Sequence, residues 1–283
     1  MDVSSQDARK RDLQVEATAH IAVQHWIDAG GLEAPATTAG SILATHRRFC
    51  EALPPELLWV EDPVTRERIA VIPGEFRRRD VVVGRHVPIS APAVPRFMNR
   101  YEEVYSRLGR TDTIIAAAAA HHRLVWVHPF LDGNGRVARL VSHATLSQAL
   151  DTGVVWSIAR GLAGNARLYK EHLAACDQRR RNDLDSRGNL SEKNLAEFTR
   201  FLLTVCLNQV KFMEQLMQPE HFRARLLTWA QEESSRTGCR PGPTASLRIC
   251  SIAANCSATT WRRSPAPATG RRVAWSRPSP TGA

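Results

Sequence analysis

The sequence predicts an all-α helical bundle with one small β-hairpin. Three observations predict this fold class. Most segments place apolar residues at three- and four-residue steps, glycine or proline ends several of these segments, and the stretch 72–84 has two short β-rich runs around a charged turn. Helices of this kind bury their apolar stripes against one another, and no internal repeat suggests another architecture.

The predicted helices have recognisable ends. A first helix stops at Gly30, a second before Pro54, and a late long helix begins after Ser191, a favoured N-cap residue. The expected spans are residues 12–29, 38–53, 95–108, 111–127, 136–150, 165–176, 191–217 and 221–233. We therefore divide the chain into an N-terminal helical segment (1–38), a core (39–205), C-terminal helices (206–233) and a tail (234–283).

Composition excludes several classes of protein. The chain of 283 residues can bury a core of ordinary size, and no apolar run reaches the ~18 residues that span a bilayer. Its first residues lack the pattern of a signal peptide. Cysteines at 50, 176 and 206 have no disulfide or zinc spacing. We expect a cytoplasmic protein with no membrane partner.

The basic charge is concentrated in the tail. The net charge is +10, and the eight arginines after residue 234, with no lysine or acid, leave the rest nearly neutral. Nucleic acid is therefore not an expected partner of the core. The tail is either a genuine disordered basic segment or an out-of-frame translation, and we favour the second.

Residues 128–139, called the motif below, read His-Pro-Phe-Leu-Asp-Gly-Asn-Gly-Arg-Val-Ala-Arg. Pro129 cannot continue the preceding helix, so His128 lies at its end, and a second helix starts near Arg136. Between them, Gly133 and Gly135 let the main chain approach a ligand closely. Unpaired N–H groups at the second helix start would then form an anion site, for which phosphate is the usual occupant.

The other motif side chains fit the same chemistry. Arg136 and Arg139 lie one turn apart and can both reach phosphate oxygens. Asp132 suits Mg²⁺, which takes one or two carboxylates and completes its shell with water and substrate oxygens. His128 supplies a base with an ordinary pKa near neutrality. These residues together predict phosphoryl or nucleotidyl transfer.

The motif resembles, position for position, the core signature of Fic proteins with the Fido fold, H-P-F-x-D/E-G-N-G-R-x-x-R. The resemblance implies a catalytic core over residues 39–205 and a protein adenylyltransferase that moves AMP from ATP onto a Tyr, Ser or Thr hydroxyl. It implies these roles: His128 as base, Asp132 as the Mg²⁺ ligand, Gly133, Asn134 and Gly135 as the diphosphate cradle, Arg136 on the phosphates, Arg139 on the γ-phosphate, and Phe130 as a buried anchor of the loop.

Two further stretches extend the resemblance. Residues 72–84, called the flap segment, resemble the family's hairpin that aligns the target protein, so we expect docking near Gly74–Gly84. Asn165 and Tyr169 resemble the pair that borders the adenine pocket. Self-modification and a homodimer are left open as further partners.

The inhibitory pattern S/T-x-x-x-E-G/N of many family members is not found. In those members its glutamate pairs with the second motif arginine. Nothing in residues 1–33 fits it, and the nearest partial match, 228–233, ends in glutamate. We therefore expect a form released from self-inhibition.

Each assignment has a plainer alternative. His128 could only complement a helix dipole, Asp132 could only form a turn, Arg139 could be a solvated charge, and Tyr169 could be a core residue. The flap segment could be an ordinary edge hairpin. For the whole chain, the alternatives are another Fic-type transfer (UMP, phosphocholine or a γ-phosphate), removal of AMP, or a non-enzymatic ATP-sensing regulator.

Overall fold

The computed structural model describes residues 3–62, 65–84, 86–150, 156–185, 188–218, 222–225, 227–229 and 231–232. The chain divides into two units, residues 1–213 and 214–283. In the second, the described residues after 218 are helical, within the span predicted as 221–233. The prediction for the tail, residues 234–283, falls outside the described residues.

The first unit is helical with one small sheet, which confirms the predicted fold class. Its helices are α1 (Val3–Asp28), α2 (Ala39–Glu51), α3 (Val94–Tyr105), α4 (Arg110–Val127), α5 (Asn134–Leu150), α6 (Ile158–Gly164), α7 (Ala166–Ala175) and α8 (Glu192–Leu216). Strands β1 (Trp59–Glu61) and β2 (Arg68–Ala70) pair antiparallel, with Val60 opposite Ile69. Within the described part of the chain, no helix combines the length and the apolar character that crossing a bilayer demands.

Helix α5 lies at the centre of the unit, because it contributes to all three apolar clusters. Leu146 packs with α4, α6, α7 and α8, Val141 packs with α2, α3 and α4, and Ala144 packs with α1 and α2. The alanines of α4 permit its close approach to α5, and Ala118 is completely buried there. The motif therefore sits where a buried helix begins, so its main chain is held on several sides.

Two sequence-based expectations about elements were wrong. The hairpin strands lie at 59–61 and 68–70, and the flap segment that was expected to supply them has only one isolated bridge, Val83 to His86. Helix α6 was not predicted, because seven residues are too few for a clear helical period. The expected N-cap of α8 is present, since the Ser191 hydroxyl accepts the Asn194 N–H over 3.2 Å.

Candidate active site

The motif loop, residues 128–133, joins α4 to α5 through two left-handed positions. His128 ends α4 at φ 52° and ψ 61°, so the residue before Pro129 leaves the right-handed helical region, as predicted. Gly133 has φ 80°, which glycine adopts without strain. Its carbonyl accepts the N–H groups of Arg136 (3.0 Å) and Val137 (2.9 Å). The N–H groups of residues 133–135 therefore precede the hydrogen-bond ladder of α5, as an anion site requires.

The side chain of Asn134 closes the motif loop on itself. Its Oδ1 accepts the Phe130 N–H over 2.9 Å, and its Nδ2 donates to the Phe130 carbonyl over 2.8 Å. Asn134 is 4% exposed and the Phe130 ring is completely buried. The Asn134 side chain is thus engaged in the loop, and only its main-chain N–H remains to bind a diphosphate.

A histidine outside the motif, His46 on α2, also holds this loop. Its ring stacks on Phe130 with centroids 3.8 Å apart and planes 2° apart. The Gly74 N–H donates to His46 Nδ1 over 3.0 Å, so the ring hydrogen is on Nε2 and faces the Asp132 carbonyl at 3.3 Å. Burial lowers the pKa of His46 to about 4, which keeps the ring neutral as this pattern requires. No local sequence pattern marked His46.

The guanidinium of Arg77 in the flap segment positions the end of α4. Its Nε donates to the His128 carbonyl over 2.7 Å, and its other nitrogens donate to the carbonyls of Arg79 (2.9 Å) and Ile89. The Arg77 main-chain N–H donates to the Pro129 carbonyl over 2.8 Å. Arg77 is 3% exposed, and burial lowers its pKa. The flap segment therefore lies against the motif loop, although it is not the predicted hairpin.

The imidazole of His128 is set up as a neutral hydrogen-bond donor and acceptor. Its Nδ1 lies 3.3 Å from the Val125 carbonyl, so Nδ1 carries the hydrogen and Nε2 keeps its lone pair. Burial lowers its pKa to about 4; the Val125 carbonyl and Asp132 oppose this shift, and Arg77 and His86 add to it. The sequence-based expectation of a pKa near neutrality for His128 was wrong. With the lowered pKa, the ring is unprotonated at pH 7.

Asp132 presents its carboxylate at the surface of the site. The side chain is 50% exposed, and its Oδ1 lies 3.6 Å from Arg136 Nη1. Among the residues that the structure describes, no group of three or more His, Cys, Asp or Glu is placed to hold a metal ion. A lone, solvent-facing carboxylate fits Mg²⁺ when substrate oxygens and water supply the other ligands.

The first motif arginine pairs with a glutamate of α1. Arg136 Nη2 forms an ion pair with Glu16, and the two side chains are 26% and 19% exposed. The Arg136 guanidinium also lies 5.9 Å from the Phe49 ring. The expectation of a form released from self-inhibition rested on the missing pattern and stays a prediction. The structure adds an acidic contact on the first motif arginine.

A pocket of about 720 Å³ opens beside the start of α5. Gly135, Arg136 and Arg139 lie on one side, and α1, α6 and α7 supply the rest, including Glu16 and Tyr169. A Cβ built on Gly135 would lie 3.5 Å from Arg139 Nη1, so this glycine keeps the main chain next to the arginine free of side-chain bulk. His128 is not among the residues that line this pocket.

The predicted adenine-pocket pair is only partly brought together. Tyr169 lines the pocket, but it is 8% exposed and its hydroxyl lies 2.8 Å from His121 Nε2. Asn165 is exposed, donates to the Gly161 carbonyl over 2.9 Å and is not among the lining residues. The structure therefore places Tyr169, and not Asn165, in the pocket.

Comparisons with known proteins agree with this fold and motif. Residues 37–146 match the model of the Fic/DOC family. Similar curated proteins include protein adenylyltransferase Fic of Drosophila erecta (32% identical) and of Drosophila yakuba (36% identical), each over 126 residues. These matches cover 44% of this chain and 22% of the length of each relative. A crystal structure of a Fic family protein from Desulfovibrio desulfuricans G20 shares the fold: the TM-score is 0.50 at 19% identity, covering 71% of this chain and 53% of that one.

Proposed function

We propose that this protein is an adenylyltransferase that transfers AMP from ATP to a Tyr, Ser or Thr hydroxyl of a target protein. The observation that carries the proposal is the motif loop, which has the neutral imidazole of His128 at one end and, at the other, the first N–H groups of α5 beside a pocket lined by two arginines. The similar proteins named adenylyltransferase support the same reaction.

In this reaction His128 acts on the attacking hydroxyl. Its Nδ1–H is engaged by the Val125 carbonyl, so Nε2 receives the proton. The hydroxyl oxygen bonds to the α-phosphorus, the bond from that phosphorus to the bridging oxygen breaks, and pyrophosphate leaves. Because the pKa of His128 is lowered to about 4, the base is unprotonated at neutral pH, although its affinity for the proton is modest. Positioning and electrostatics must therefore supply much of the acceleration.

The phosphates bind at the start of α5. The N–H groups of Asn134 and Gly135 face the diphosphate, Arg136 binds phosphate oxygens after exchanging Glu16 for them, and Arg139 reaches the γ-phosphate. Asp132 would hold Mg²⁺, and the bound ion would supply positive charge that offsets the charge of the nucleotide phosphates. Tyr169 bounds the nucleotide in the pocket, and Asn165, which is not among the lining residues, is proposed to contact the base from outside that lining.

The target protein docks on the flap segment, next to the motif loop. Arg77 and Gly74 tie this segment to the loop and to α2, while Val82 is 68% exposed and open to contact. A docked strand would present its hydroxyl near His128. The same geometry serves self-modification or a second copy of this chain as target.

Labelled ATP tests the proposal directly. We expect label from [α-³²P]ATP, and not from [γ-³²P]ATP, to enter protein in a lysate, and His128→Ala to lower the rate by about 10²–10⁴-fold. His25→Ala, an exposed histidine of α1, is the matched control and should label normally. Transfer of γ-label would indicate a kinase-type reaction. ATP binding without any transfer would contradict the proposal in favour of an ATP-sensing regulator.

A further inference from the structure

A chain of buried hydrogen bonds begins beside the second motif arginine and runs into the core. The Tyr169 hydroxyl lies 2.8 Å from His121 Nε2, and the Arg139 guanidinium, which lines the same pocket, acts on the tyrosine electrostatically. His121 Nδ1 lies 2.8 Å from the Ser142 hydroxyl, which in turn donates to the Ala138 carbonyl over 2.8 Å. His121 is 1% exposed, Ser142 4% and Tyr169 8%.

The donors and acceptors of this chain have one consistent direction, because its inner end is fixed by a main-chain carbonyl. At that end the Ala138 carbonyl can only accept, so the Ser142 oxygen must accept from His121 Nδ1–H. His121 Nε2 therefore carries the lone pair and accepts the Tyr169 hydrogen, which leaves the Tyr169 oxygen as an acceptor for Arg139, a side chain that can only donate. This pattern requires a neutral imidazole, and burial, with help from Arg139, lowers the pKa of His121 to about 3.

We propose that Tyr169, His121 and Ser142 are positioning residues that orient the Arg139 guanidinium toward the terminal phosphate of the bound nucleotide. The proposal rests on the proposed function, in which Arg139 contacts the γ-phosphate. Without an acceptor behind it, a flexible arginine at the pocket wall samples several rotamers and loses conformational entropy when it binds. An acceptor of fixed direction removes that cost, so the network favours triphosphate over diphosphate.

This role differs from the one that the resemblance implies for Tyr169. Its ring lines the pocket, but its hydroxyl is turned toward His121 and Arg139 and not left free for the base. The network also uses His121 of α4, which lies outside the motif. The neighbouring His122 bonds to Asp177 instead, with Nε2 2.9 Å from the carboxylate.

Titration calorimetry with MgATP and MgADP tests the proposal in the full-length protein, with His128→Ala present throughout to prevent turnover. Tyr169→Phe is expected to weaken MgATP binding about tenfold and to leave MgADP binding unchanged, because one hydrogen bond to a charged group is lost. Arg139→Ala should remove the preference for ATP, and adding Tyr169→Phe to it should cause no further loss. This lack of additivity is a result that a merely structural tyrosine would not give.

Two further variants keep the test decisive. Ser142→Ala frees the His121 tautomer, so it should lower the ATP preference in the same direction by a smaller factor. Tyr101→Phe is the matched control: the Tyr101 hydroxyl is buried and has no hydrogen-bond partner among the described residues, so the preference should stay as it was. Equal weakening of ATP and ADP by Tyr169→Phe, or additivity with Arg139→Ala, would overturn the positioning role. If Arg139→Ala itself leaves the preference unchanged, the γ-phosphate contact of the proposed function is wrong and the positioning role falls with it.

Discussion

Replacing Arg77 with methionine should destabilise the protein and slow catalysis without weakening ATP binding. Methionine keeps the apolar stem but removes the guanidinium that donates to the carbonyls of His128, Arg79 and Ile89. These contacts are partly buried, and each carbonyl left without a donor there costs about 1–3 kcal/mol. Relief of the burial penalty of the guanidinium returns several kcal/mol, so the expected net loss is about 2–4 kcal/mol.

The effect on catalysis follows from what Arg77 contacts. Its bond to the His128 carbonyl and its main-chain bond to the Pro129 carbonyl fix the left-handed turn that carries the imidazole. Arg77 is not among the residues that line the pocket beside α5, where the nucleotide is proposed to bind. The loss should therefore appear in kcat, with little change in the KM for ATP, because the base moves relative to the acceptor hydroxyl.

Urea unfolding and steady-state AMP transfer measure the two effects. Arg78→Met is the matched control, because that arginine is 81% exposed and pairs only with Glu75 among the described contacts. It should change the free energy of unfolding by less than about 1 kcal/mol. Arg77→Lys keeps the charge and should recover part of the stability. A loss below about 1 kcal/mol for Arg77→Met, or a rise in KM that matches the fall in kcat, would refute this reasoning.

Three further predictions concern residues that hold the loop and its first arginine. The free energy of unfolding should fall on acidification from pH 7 to 5.5, because burial lowers the pKa of His46 to about 4 and of His121 to about 3. In this range the two histidines bind protons in the unfolded chain but not in the folded chain, and the loss is about 1.3 kcal/mol for each. A flat profile of unfolding free energy against pH would contradict this prediction. Glu16→Gln should raise the affinity for MgATP about three- to fivefold in calorimetry, because phosphate no longer competes with a carboxylate for Arg136. Weaker binding would show that the ion pair instead organises the pocket. Asn134→Ala should lower the free energy of unfolding by about 2–4 kcal/mol through the two lost hydrogen bonds of the loop, and an unchanged midpoint in urea would disprove that role.

The parts of the site that the sequence predicted are local in the chain. A proline after His128 predicts the end of α4, and the glycines with the periodic residues after them predict the start of α5. The helical period likewise predicts the bundle. Each of these inferences depends on residues within one or two turns of each other, where backbone preference decides the conformation.

The contacts that were missed join distant parts of the chain. Arg77 lies 51 residues from the carbonyl that it binds, and His121 lies 48 residues from Tyr169. A single sequence does not indicate such pairs, since each side chain reads locally as a surface charge or a helix residue. The flap segment was misassigned for a related reason: the Arg77 N–H bonds to the Pro129 carbonyl of the motif loop and not to a neighbouring strand. Its β-branched residues favour extended backbone, but they do not determine the partner.

The motif is not sufficient by itself, because each side chain proposed to act on substrate is held by a residue outside it. Arg77 binds the His128 carbonyl, Glu16 pairs with Arg136, and Tyr169 is the residue proposed to orient Arg139. Glu16 and Tyr169 both lie outside residues 37–146, the span that matches the family model. Two proteins can therefore share the motif and the surrounding fold while binding the nucleotide phosphates with different strength. It follows that nucleotide preference in this chain depends on α1 and α7 as well as on the motif, and that substitutions at these supporting positions should alter it while every motif residue is unchanged.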